Sequence, residues 1–206
     1  MFKSISTTLA FAALLAVPTA SQAVIYTFNA SISGANEVLP ATPGPGTGTA
    51  ILDYNDNGTL TLTDDTYNFS MSVFGLTGGT APGTAASVFH IHGAANTTQN
   101  GPVRVGLDSA PFVALNFGST LLVGGNNVPA PTALFSNGTY VNLSFLSMLR
   151  SNLTYVNVHT ALNPTGAVRG QLIEVTAVPE PSTYALWLAG LGVLGLVWRR
   201  QRPTQA

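Results

Sequence analysis

The sequence predicts an all-β domain, an antiparallel sandwich or barrel, over residues 24–177, with a short hydrophobic segment at either end of the chain. Three observations carry that expectation. Apolar and polar residues alternate in run after run, clusters of Gly, Pro and Asn separate the runs, and only one stretch has helical periodicity.

The first run sets Val24, Tyr26, Phe28 and Ala30 against Ile25, Thr27, Asn29 and Ser31, the period of a strand with one buried face. Tyr67, Phe69, Met71 and Val73 repeat it against Asn68, Ser70 and Ser72. Further strands are expected at 48–54, 59–63, 87–92, 103–107, 111–117, 153–160 and 167–175. Turn formers lie at 41–46, 55–58, 78–79, 124–127 and 163–166. The helical stretch is 145–150, with Ser144 as its cap and Leu146, Met148 and Leu149 facing the core.

Residues 24–177 number 154, enough for one domain with its own core. Three arginines (Arg104, Arg150 and Arg169) stand against seven carboxylates, a net charge of −4, and lysine is absent from this segment. Such a surface argues against nucleic acid, whose phosphates call for a basic face. The chain has no cysteine, so neither disulfides nor thiol chemistry are available to it.

Both ends read as addresses. A basic start at Met1-Phe2-Lys3, an apolar core at 9–17 and small residues at Ser21 and Ala23 make residues 1–23 a secretory signal, cut by signal peptidase after Ala23. At the other end Val178-Pro179-Glu180-Pro181 precedes an uncharged apolar run, 184–198, and then Arg199, Arg200 and Arg202. As a helix that run covers about 22 Å, short of a hydrocarbon core of about 30 Å, which suits a temporary anchor. A basic stop stays on the cytoplasmic side, so the domain is expected beyond the membrane, on the periplasmic side. Residues 178–206 resemble the PEP-CTERM sorting signal of bacteria. The resemblance implies an exosortase-type processing enzyme as partner, and a destination at the cell surface or in an extracellular polymer matrix.

The three histidines all fall in strand-like stretches. His90 and His92 share parity in Ser87-Val88-Phe89-His90-Ile91-His92-Gly93, which puts both on one strand face about 7 Å apart. His159 shares its face with Tyr155 and Asn157. A His-x-His pair with one further His from a neighbouring strand is a workable three-nitrogen set for Zn or Cu. The same rings could instead be structural, bonded to loop carbonyls. Asp53-Tyr54-Asn55-Asp56-Asn57-Gly58 fits the start of a calcium loop with Asp64 in the twelfth position, but its flanks alternate like strands, so a plain hairpin is expected. Glu37 and Arg169 are unusual charges in so uncharged a domain. They are expected to form an ion pair stapling the first and last strands, the alternative being a substrate-orienting pair beside the histidines.

Phe28-Asn29-Ala30-Ser31-Ile32-Ser33-Gly34-Ala35-Asn36-Glu37-Val38-Leu39-Pro40 resembles the opening of the CHRD domain, a β-rich module of bacterial exported proteins. The segments at 46–50, 74–76, 90–93, 101–103, 155–160 and 163–172 follow in the family's order, so the likeness spans about residues 25 to 175. Leu39, where the family usually has proline, and a longer 119–151 stretch depart from it. The resemblance implies an immunoglobulin-like sandwich or barrel and no established activity, cofactor or ligand. The run from Phe89 to Gly93 is also similar to the metal-binding strand of copper/zinc superoxide dismutase, but a dismutase would need histidines and a disulfide that this chain lacks. The expected function is an exported, non-enzymatic binding or structural module for an extracellular polysaccharide or protein. The alternative is a metal-binding protein or metal-dependent oxidoreductase using His90, His92 and His159.

Overall fold

Alternating strands with one apolar face can bury that face only against one another, and here one sheet does so by curling on itself. The computed structural model describes residues 23–79, 81, 83–175, 187–194 and 198. These fall into two units divided between Glu174 and Val175.

In the first unit the strands are β1 (Ile25–Ser33), β2 (Thr47–Asn55), β3 (Thr66–Phe74), β4 (Val88–Gly93), β5 (Val103–Gly106) and β6 (Val113–Phe117). They continue with β7 (Thr120–Pro129), β8 (Phe135–Asn137), β9 (Tyr140–Leu143), β10 (Thr154–His159), β11 (Val168–Gln171) and β12 (Ile173–Glu174). Ten of them form one antiparallel sheet in the order β5-β4-β10-β11-β1-β2-β3-β7-β6, with β12 also on β1, while β8 and β9 pair separately. The sheet is a curled half-barrel, which meets the all-β antiparallel expectation.

The register places the apolar residues in rows across the concave face. Phe28 lies opposite Leu52 and Leu52 opposite Phe69, while Ala30, Ala50 and Met71 form the next row. From the other half of the sheet Phe89, Ile91, Val156 and Val158 enter the same buried cluster. The helix α1 (Phe145–Arg150) adds Phe145, Met148 and Leu149, with the Phe145 ring against Tyr67 at 5.7 Å. Ser144 caps it as expected, its hydroxyl accepting from the Ser147 amide.

Two local expectations are corrected. Residues 124–127 are not a turn but part of β7, where Gly125 lies opposite Phe69 beside a register shift. The sequence also did not single out β8 and β9. Conversely, residues 59–63 are no strand: Leu60 is fully exposed and the Thr59 hydroxyl donates to Asp64 at 3.0 Å. The hairpin after β2 forms with Asn57 and Gly58 at positive φ, and Asp56 accepts from the amides of Val24 and Gly58 rather than facing a calcium cage.

In the second unit residues 187–194 are helical. Among the described residues no helix is long and apolar enough to cross a membrane, so the expected span 184–198 is not shown as one. Residues 184–186 and 195–197 of that span, residues 1–22, the Val178–Pro181 motif, Arg199, Arg200 and Arg202 lie outside the described residues. Ala23, the expected cleavage position, is described and exposed.

Candidate metal centre

Strand pairing brings the three histidines together. β4 and β10 run antiparallel, with Tyr155 opposite His92, Asn157 opposite His90 and His159 opposite Val88. Since Phe89, Ile91, Val156 and Val158 fill the core, the intervening His90, His92, Tyr155, Asn157 and His159 share the outer face. β11 extends that face, with Arg169 opposite Asn157 and Gln171 opposite Tyr155. Loops cover it, so it is a second, polar interior: Tyr155, Asn157 and Arg169 are 2%, 4% and 1% exposed and His92 is 9% exposed.

The ring centroids of His90 lie 5.5 Å from those of both His92 and His159. One nitrogen from each ring lies within 4.8 Å of the other two. His92 turns Nδ1 to the Gly101 carbonyl oxygen at 2.9 Å, and His159 turns Nδ1 to that of Pro164 at 3.0 Å. A carbonyl only accepts, so both rings carry their proton on Nδ1 and leave Nε2 bare. Those two Nε2 atoms and Nδ1 of His90 are enclosed without a hydrogen-bond partner. Burial lowers the pKa of all three rings, that of His92 to about 4, where its histidine neighbours and Arg169 lower it further although the Gly101 hydrogen bond opposes the shift. Neutral rings are the form that ligates a metal.

Among the described residues no other group of His, Asp and Glu is gathered closely enough to hold an ion, the Asp53–Asp64 loop included. Nor do Glu37 and Arg169 form the expected ion pair. The only such pair among the described residues joins Arg150 and Glu174 at 3.4 Å. Arg169 spends its donors on carbonyls instead, reaching Asn96 at 2.7 Å and Gln99 at 2.9 Å, because the loop after β4 folds over it. Glu37 accepts from the Asn157 amide at 3.3 Å with its other oxygen unpartnered, and burial pushes its pKa up to about 7.

Sequence reasoning placed Tyr155 and Asn157 on this face as outer support but not the contacts they make. The Tyr155 ring stacks on His92 with centroids 4.9 Å apart and planes 12° from parallel, and Arg169 lies 3.5 Å from the centroid of Tyr155. Parity had placed Tyr155 beside His159, but the cross-strand neighbour follows only from the register.

The CHRD domain family matches residues 28–172. The chain belongs to the CHRD family. In this CHRD protein residues 177–201 match the PEP-CTERM protein-sorting motif. That motif implies export, anchoring through the C-terminus and processing by an exosortase-type enzyme. No curated protein and no solved structure matches the CHRD chain.

Proposed function

We propose that this CHRD domain is an exported module that holds one transition-metal ion, Zn²⁺ or Cu²⁺, between His90, His92 and His159. The observation that carries the reading is the meeting of three enclosed ring nitrogens, none of which has a hydrogen-bond partner. Enclosed lone pairs facing one another are costly unless a proton, a donor or a cation sits between them. An all-imidazole set suits Zn²⁺ or Cu²⁺, and main-chain carbonyls on Nδ1 are the usual outer support of metal-bound histidine. A tetrahedral ion with bonds of about 2.0–2.1 Å would hold its nitrogens about 3.4 Å apart, within the 4.8 Å that already encloses the three here.

Enclosure of the ligating atoms favours holding the ion over turning over a substrate. Structural histidines, the competing reading, are supported by the same two carbonyl bonds; they leave the three inward nitrogens unexplained. On the proposed route the chain crosses the inner membrane, is held there with the domain on the periplasmic side, and passes to the cell surface. Titration of the metal-free full chain with Zn²⁺ and Cu²⁺, beside the H90A/H92A/H159A triple variant, tests the metal site. One equivalent is expected for the wild type and none for the variant; stoichiometric binding by neither overturns the reading.

A further inference from the structure

Two separate paths lead from Arg169 to His92. The first runs through the loop that follows β4. One terminal nitrogen of Arg169 donates to the Gln99 carbonyl oxygen at 2.9 Å and the Asn100 side-chain oxygen at 3.2 Å; the other donates to the Asn96 carbonyl oxygen at 2.7 Å. The next residue in that loop is Gly101, whose carbonyl fixes Nδ1 of His92. The second path runs through the Tyr155 ring: Arg169 lies 3.5 Å from its centroid, and the ring lies nearly parallel to His92. The paths meet again at the Tyr155 hydroxyl, which accepts from the Gly101 amide at 3.1 Å.

Arg169 is 1% exposed and, among the described residues, has no carboxylate within ion-pair distance. A buried charge without a counter-ion is costly, and its hydrogen bonds to carbonyls offset only part of that cost. Three acceptors within Asn96–Asn100 match the planar, forked array of donors on a guanidinium, which a lysine ammonium cannot reproduce.

We propose that Arg169 is a positioning residue for the three-histidine metal centre, fixing the orientation of His92 through the Asn96–Gly101 loop and the Tyr155 ring. The inference rests on the metal reading above. Removing an outer support of this kind typically weakens metal binding by about tenfold to a hundredfold.

The test compares the full-length wild type with Arg169→Lys, Tyr155→Phe and, as a control at a distant cation, Arg150→Lys. Zn²⁺ affinity is read by chelator competition and Cu²⁺ coordination by electron paramagnetic resonance. Arg169→Lys is expected to bind Zn²⁺ at least about tenfold more weakly and to shift the copper spectrum. Tyr155→Phe keeps the stack and loses only the hydroxyl, so it is expected to show a smaller loss in the same direction, with Arg150→Lys unchanged. A merely structural Arg169 would lower the melting temperature of the metal-free protein and leave affinity and spectrum of the folded protein as in the wild type; that result overturns the inference. If Arg169→Lys does not fold, Tyr155→Phe decides, and wild-type affinity and spectrum in that variant count against the proposal. A wild type that binds no metal sinks the metal reading itself, whereas a wild type that binds beside unaffected variants sinks this inference alone.

Discussion

His92 and His159 hold the same pose from different strands: each bonds Nδ1 to a main-chain carbonyl, at 2.9 and 3.0 Å, and each leaves Nε2 enclosed and unpartnered. A cation binding there would relieve both rings in the folded state alone. Zn²⁺ at about 100 times its dissociation constant is expected to stabilise the fold by about 2.7 kcal/mol. His159→Ala should abolish that gain. Calorimetric melting with and without Zn²⁺ checks it, and an equal shift in wild type and variant would count against the site.

Glu37 gives the domain a pH dependence of its own. Burial raises its pKa to about 7 from the ordinary 4.5, against opposing contributions from the Asn157 amide and Arg169. The fold therefore favours the protonated carboxyl. That contribution is fully present below the unfolded value of 4.5 and is lost as pH rises through about 7. Metal-free wild type should lose stability between about pH 5 and pH 8 relative to Glu37→Gln, which stays neutral throughout. Urea unfolding at several pH values reads the difference, and parallel profiles would refute the assignment.

Tyr54 and Asp65 form a buried pair on the core side of the sheet. The hydroxyl donates to one carboxylate oxygen at 2.5 Å, and Asp65 is only 4% exposed with its other oxygen unpartnered. Tyr54→Phe removes the donor and leaves the carboxylate stranded, at an expected cost of about 2 kcal/mol. An unchanged urea midpoint would mean that water replaces the hydroxyl.

Two strand glycines should respond in opposite ways to alanine. A methyl on Gly48 would run into the Ser72 carbonyl oxygen and stand 2.9 Å from Val73 Cα, both main chain and unable to yield. A methyl on Gly124 would meet nothing within 4 Å. Gly48→Ala is expected to cost about 3 kcal/mol or to prevent folding. Gly124→Ala should stay within about 0.5 kcal/mol of wild type. Equal unfolding midpoints for the two would contradict the packing.

Much of this was legible because side-chain parity is a local property. Alternation located β1, β3 and β4, and it put His90 and His92 on one face before any fold was known. It failed where local signals compete with tertiary pairing. Gly124-Gly125-Asn126-Asn127 has the composition of a turn, yet β3 and β6 recruit its backbone into β7. Leu60 and Leu62 alternate like a strand but find no partner. At the site, the supporting contacts come largely from carbonyls of Asn96, Gln99, Gly101 and Pro164, groups that every residue carries and no sequence displays. Expecting Arg169 to seek Glu37 overlooked them. The amide-rich run from Asn96 to Asn100, close behind the His-x-His pair, was the one available sign of a loop folding back over the strand.

Because main-chain oxygens orient both histidines, that orientation depends little on which side chains the supporting loops carry, the Asn100 oxygen that accepts from Arg169 apart. Substitutions along these loops can accumulate without turning His92 or His159, provided the chain keeps its path. The tolerance ends at Gly101, where any Cβ would lie 3.1 Å from Ala95 Cβ and from the carbonyl group of Gly93. The donor geometry is thus set by the path of the loops and concentrated into a few positions.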